Sequence, residues 1–116
     1  MKYTIEIPTI ESIETLTATA HKEAQKWLLE KISSAMIEKA KLGHTDLEFD
    51  LSDCPYAYNQ LDLNKTENTL REIGYMTDPH PRKQILIVDW SARGKAQIQI
   101  LKDSGVNWKR WTDEDK

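Results

Sequence analysis

"GHTDLEFDLSDC" (residues 43–54) is where the chain changes period, and its reading decides the fold. Upstream, apolar residues return every three or four positions. Within it, Leu47, Phe49 and Leu51 alternate with Asp46, Glu48 and Asp50. Alternation of this kind describes a strand with one face on a core. The same twelve residues also gather His44, four carboxylates and the only cysteine, Cys54, so a metal site or a catalytic acid cluster competes with the strand reading. Geometry separates them. On a strand, His44, Asp46, Glu48 and Asp50 share a face but stand about 6–7 Å apart from one to the next. Zinc needs ligands converging on one point, and a calcium loop needs a tightly curled backbone with glycine at the bend. The stretch therefore reads as a solvated strand face, which also discourages edge pairing or offers an acidic docking surface.

Working back from Gly43, the stripe Ile13, Leu16, Ala20, Ala24, Trp27, Leu28, Ile32, Ala35, Met36 and Ala40 marks one face of a long amphipathic helix. Glu11 and Glu14 near its start, and Lys39 and Lys41 near its end, suit the helix dipole, and Gly43 is the stop. Threonines at 15, 17 and 19 are indifferent helix formers, so the regular part is expected from about Ala18. Before it, "YTIEI" (3–7), stopped by Pro8, reads as a short edge strand or extended arm.

Working forward, "SDCPYAYNQLDL" (52–63) reads as a loop. Asn64 and Glu67 have the spacing of a helix cap with its reciprocal partner, followed by a short helix that ends at Gly74, with Tyr75 packing back. The two prolines of "TDPHPR" (77–82) exclude helix and central strand. "QILIVDW" (84–90) is apolar on consecutive positions, as a central strand is, and "AQIQIL" (96–101) alternates after a turn, so 84–101 is expected as a β-hairpin. The expected order is (β)-α-β-α-β-β. This is an α+β domain in which a long helix packs on a small, largely antiparallel sheet, with an arm at 1–11 and a tail from Lys102.

At 116 residues the chain is one domain by size, with 39% hydrophobic and 30% charged residues, a soluble globular balance. The longest apolar run is "ILIV" (85–88), far short of a membrane span, and the N-terminus lacks a signal-peptide core. One cysteine excludes an internal disulfide and fits a reducing compartment. A formal charge of -3 argues against nucleic acid as the partner.

Candidate sites are few. "NWKRW" (107–111) places Trp108 and Trp111 around Lys109 and Arg110, a composition that anchors protein interfaces or stacks on bases, or else docks a last turn on the core. The acidic "DEDK" that follows weakens the nucleic-acid reading. Tyr56 and Tyr58 sit in a loop that suits either recognition or cover for the sheet. Asp46, Glu48 and Asp50 complete the binding candidates. Cys54 before a proline and His80 between two prolines read as structural and surface positions. The four glycines are isolated, and there is no G-x-S-x-G, H-E-x-x-H or paired C-x-x-C. The expectation is a protein that is not an enzyme, needs no cofactor or metal, and binds protein, with homo-oligomerisation left open.

One pattern is familiar. A helix ending in "KA…GHTDLEFDL", then "TENTLREIGY", then "ILIVDW" resembles the many small, mostly uncharacterised proteins of tailed bacteriophages, over about residues 25–90. Its motifs are structural: Gly43 and Gly74 as stops, Leu70 and Tyr75 as packing residues, Trp90 at a strand end. The resemblance implies a virion or assembly component, or a phage-encoded inhibitor that binds a host or defence protein or sequesters its signal nucleotide. Either would act in the host cytoplasm or the virion.

Overall fold

The computed structural model of this chain describes residues 6–79 and 83–110. Its elements are α1 (Ile10–Lys41), β1 (Asp46–Asp50), a 3-10 turn (Leu51–Asp53), α2 (Gln60–Ile73), β2 (Met76–Pro79), β3 (Ile85–Asp89) and α3 (Ala92–Asp103). The fold is α+β in the order α-β-α-β-β-α, with a three-stranded antiparallel sheet β1-β3-β2.

The long helix forms as its pattern dictates, but it starts earlier than expected, at Ile10. Thr9 caps it by accepting from Ser12 N at 3.2 Å. The threonines do not break it, because Thr15 and Thr19 return their hydroxyls to the carbonyls of Glu11 and Thr15, both at 2.9 Å. At the other end His44 N reaches Lys39 O at 3.0 Å and Gly43 N reaches Ala40 O at 2.9 Å. α2 closes in the same way, Tyr75 N on Leu70 O and Gly74 N on Arg71 O, both at 3.1 Å. These paired bonds require left-handed backbone, and Gly43 (φ 87) and Gly74 (φ 124) supply it.

β3 is the central strand, as its unbroken apolar run predicts. Leu47 sits opposite Val88 and Phe49 opposite Leu86, while Thr77 of β2 faces Val88 from the other side. This face carries the core: Leu28 and Ile32 of α1, Leu63 and Leu70 of α2, and Leu47, Leu86 and Val88 of the sheet. Trp27 meets Phe49 edge-on at 6.2 Å between ring centroids. Burying such a cluster is the main stabilising term, at about 1.5–3 kcal/mol per aliphatic side chain.

Three expectations are corrected. The 84–101 hairpin is absent, because "AQIQIL" belongs to α3. Asp89 accepts from Ser91 N at 2.7 Å, Ser91 caps by accepting from Gly94 N at 3.1 Å, and the buried positions are Gly94 and Ile98, a helical step. The missing third strand comes instead from β2, in the proline-bearing stretch. It lies at an edge, where Pro79 needs no donor on its open side. The cap of α2 is Asn59 with Asp62, not Asn64 with Glu67. Asn59 accepts from Asp62 N at 2.9 Å and Asp62 accepts from Asn59 N at 3.0 Å, so the helix begins inside the expected loop and Asn64 and Glu67 are buried within it. The expected strand 3–7 lies largely outside the described residues, and Glu6 and Ile7 are not in a strand.

Candidate functional site

The acidic face is built as the alternation requires. β1 is an edge strand, and Asp46, Glu48 and Asp50 are exposed on its outer side. Asp50 folds back on the following turn, accepting from the Ser52 hydroxyl at 2.6 Å and the Ser52 amide at 2.9 Å. Those two bonds, the hydroxyl's first, hold its carboxyl below the usual aspartate value. Among the described residues no group of three or more His, Cys, Asp or Glu side chains is placed to hold a metal ion.

The tyrosine loop divides. Tyr56 is exposed, whereas Tyr58 packs against the core beside Cys54. Burial raises the Tyr58 phenol, with the Cys54 and Asp50 charges adding to the effect. Half of this loop therefore covers the sheet.

The tail is committed to the domain's own polar network. Trp108 is half-buried, with Lys102 Nζ 4.9 Å and Lys109 Nζ 5.5 Å from its ring centre. Asn68 of α2 holds Arg110 by both backbone groups: Arg110 N donates to Asn68 Oδ1 at 2.6 Å and Asn68 Nδ2 donates to Arg110 O at 2.9 Å. The Arg110 side chain lies 3.5 Å from Glu67 and 3.4 Å from Asp78. Arg71 donates to Thr77 Oγ1, Thr77 O and Trp108 O at 2.9, 2.6 and 2.9 Å. Burial pulls the Arg71 guanidinium below its ordinary value, Arg110 adds to that, and Glu67 and Asp78 oppose it; it remains protonated at neutral pH. Arg110 and Trp108 thus serve docking of the tail, Lys109 is exposed, and Trp111 and His80 lie outside the described residues.

Two features escaped the sequence reading. The first turns of α1 run past the rest of the domain. His21, 3.4 Å from Asp62, and Gln25, bonded to Asp62 at 3.2 Å, mark where α2 last touches the helix. Before them, among the described residues, apolar side chains stand exposed on the first turns of the helix and just ahead of it: Ile7, Ile10, Ile13 and Leu16 are 84, 74, 47 and 65% exposed. Near the other end of α1 an apolar groove of ≈ 400 Å³ opens between Met36, Ile37, Ala40, Ile73, Tyr75 and Trp90. Tyr75 and Trp90 meet edge-on at its wall, 6.4 Å apart. Ile73 and Ile37 are 68 and 57% exposed at its rim.

Comparison with protein-family models, curated proteins and solved structures finds no match to this chain. The geometry itself defines an α+β protein with two exposed apolar surfaces among its described residues, the arm and the groove.

Proposed function

We propose that this chain is a non-enzymatic protein that works through protein–protein contacts, as a virion or assembly component of a tailed bacteriophage. The observation that carries the contact reading is the α1 arm. Exposed aliphatic residues scattered singly are ordinary, but Ile10, Ile13 and Leu16 follow one another at helical spacing on a projecting segment, with Ile7 just before the helix, and such a row of exposed apolar side chains is of the kind that marks an interface. The phage assignment is supported by the resemblance of residues 25–90 alone. No helix of the described residues is long and apolar enough to cross a membrane. The alternative, an inhibitor of a host or defence protein, is favoured by one feature, the open acidic edge at Asp46, Glu48 and Asp50.

The test is affinity capture with the wild-type chain, an Ile10→Asp/Leu16→Asp variant and an Asp46→Lys/Glu48→Lys variant. A partner lost with the arm variant alone supports the assembly reading. A host protein lost with the acidic-edge variant alone supports the inhibitor. No bound protein at all contradicts both.

A further inference from the structure

The geometry points to the face of α2 beneath the tail as a peptide-binding site, filled by the chain's own residues 107–110 and suited to an extended, arginine-bearing segment of a partner protein. It lies apart from the arm and the acidic edge, and the reading proposed above does not depend on it.

The face holds the tail as a receptor holds a peptide. Its closest bonds go to main chain: Asn68 accepts from Arg110 N at 2.6 Å and donates to Arg110 O at 2.9 Å, and Arg71 donates to Trp108 O at 2.9 Å. Main-chain bonds give affinity for an extended segment, and the side chains between them give selectivity. The tail side chain that the face reads is Arg110, 3.5 Å from Glu67 and 3.4 Å from Asp78. Trp108 stays outside the apolar core, half-buried against Lys102 and Lys109. The exposed residues 104–106 tie the tail to α3, so it can leave without opening that core.

The chain's own segment fits incompletely, and the mismatch says what a better occupant brings. Glu67 is fully buried and accepts from Thr77 Oγ1 at 3.1 Å through Oε1, while among the described residues its Oε2 has no hydrogen-bond donor. Arg110 Nε, 3.5 Å from Oε1, is also buried and makes no aligned bond. Buried carboxylates and guanidinium groups are ordinarily satisfied, and the strong arrangement between them is bidentate. An arginine that enters at a different angle fills both vacancies at once. A second copy of this chain would bring the same segment and repeat the mismatch, so the partner is a different protein.

The experiment uses the full chain and a synthetic capped peptide, Gly-Val-Asn-Trp-Lys-Arg amide, the sequence of residues 105–110. Trp108→Gly/Arg110→Gly loosens the chain's own tail and leaves Glu67, Asn68, Arg71 and Asp78 in place, with the fold checked by circular dichroism. In fluorescence anisotropy the labelled peptide should bind this variant more than about tenfold more tightly than the wild type, whose tethered tail competes at an effective concentration of about millimolar. Glutamine in place of the peptide's arginine, or Asn68→Ala added to the variant, should each weaken binding at least about tenfold, the scale of losing one desolvated charged or paired contact. A folded variant that takes no peptide, or one whose binding ignores Asn68→Ala, overturns the inference. Should the double variant not fold, the isotope-labelled wild type decides by NMR. Excess peptide should then move the Trp108 indole signal to its position in the free peptide, and a signal that stays put overturns the inference. A wild type that dimerises in light scattering, and is dispersed by loosening the tail, overturns it too, because the occupant would then be a second copy.

Discussion

Arg71→Met removes the guanidinium on which the buried polar layer between α2, β2 and the tail depends. Glu67 is fully buried, Arg71 is 6% exposed and Thr77 is fully buried, so water cannot replace what is lost. The substitution deletes the bonds to Thr77 Oγ1, Thr77 O and Trp108 O. An orphaned buried carbonyl costs about 1–3 kcal/mol, and stripping one cation from a buried carboxylate brings the expected total to about 3–5 kcal/mol. Arg110, 3.5 Å from Glu67, limits the damage. With a urea dependence of about 1–3 kcal/mol per molar, the midpoint should fall by about 2 M. Urea titration followed by tryptophan fluorescence measures it, and Trp108 should respond first as the tail loosens. A companion pair separates burial of charge from loss of packing. Glu67→Met/Arg71→Met removes both charges and should recover about 2 kcal/mol relative to the sum of the single variants. A single-variant cost under about 1 kcal/mol, or strict additivity in the double, would refute this account of the network.

Three further outcomes follow from the same geometry. Trp27→Ala should cost about 3–5 kcal/mol by chemical denaturation, whereas Asp46→Ala and Glu48→Ala should stay within about 0.5 kcal/mol of wild type. A strongly destabilised Asp46→Ala would overturn the solvated-face reading. Asn59→Ala, which opens the capping box of α2, should cost about 1 kcal/mol in the same titration. Ser52→Ala should raise the Asp50 midpoint toward the ordinary aspartate value, read by carboxyl NMR. Because the folded value lies below the unfolded one, the stability linked to Asp50 is present above the unfolded value and lost as pH falls through the folded one, so the substitution should flatten that acid limb.

Residues whose consequences are local were legible in the sequence. Gly43 and Gly74 stop helices because the backbone there must turn left-handed, and Leu47, Phe49 and the 85–88 run place two strands. "QIQI" was not legible, because alternate apolar positions satisfy a strand and a helix that buries only Ile98 equally well. Asp89 and Ser91, two side chains able to cap, were the signal that favoured the helix. Asn59 and Asn64 both begin a capping pattern, and only tertiary packing chooses between them. The apolar stripe of α1 says which side of the helix is greasy, not how far the domain extends beneath it, so an arm at 1–11 is expected from the sequence but its continuation as the first turns of α1 emerges only from the assembled fold. The groove could not be read at all, since Ile37, Ile73 and Trp90 are brought together across three elements. The tryptophan tail suits both binding and docking on the core by its sequence, and the fold has its Arg110 claimed by Asn68, Glu67 and Asp78, residues that periodicity cannot pair with it.

Quantitative mass spectrometry of particles purified from a culture that makes the protein tests the assembly reading most directly. The account predicts the chain in those particles at a fixed copy number set by their symmetry, and its loss from them when Ile10 and Leu16 are made acidic. A chain absent from particles, or present at a copy number indifferent to those substitutions, would contradict it.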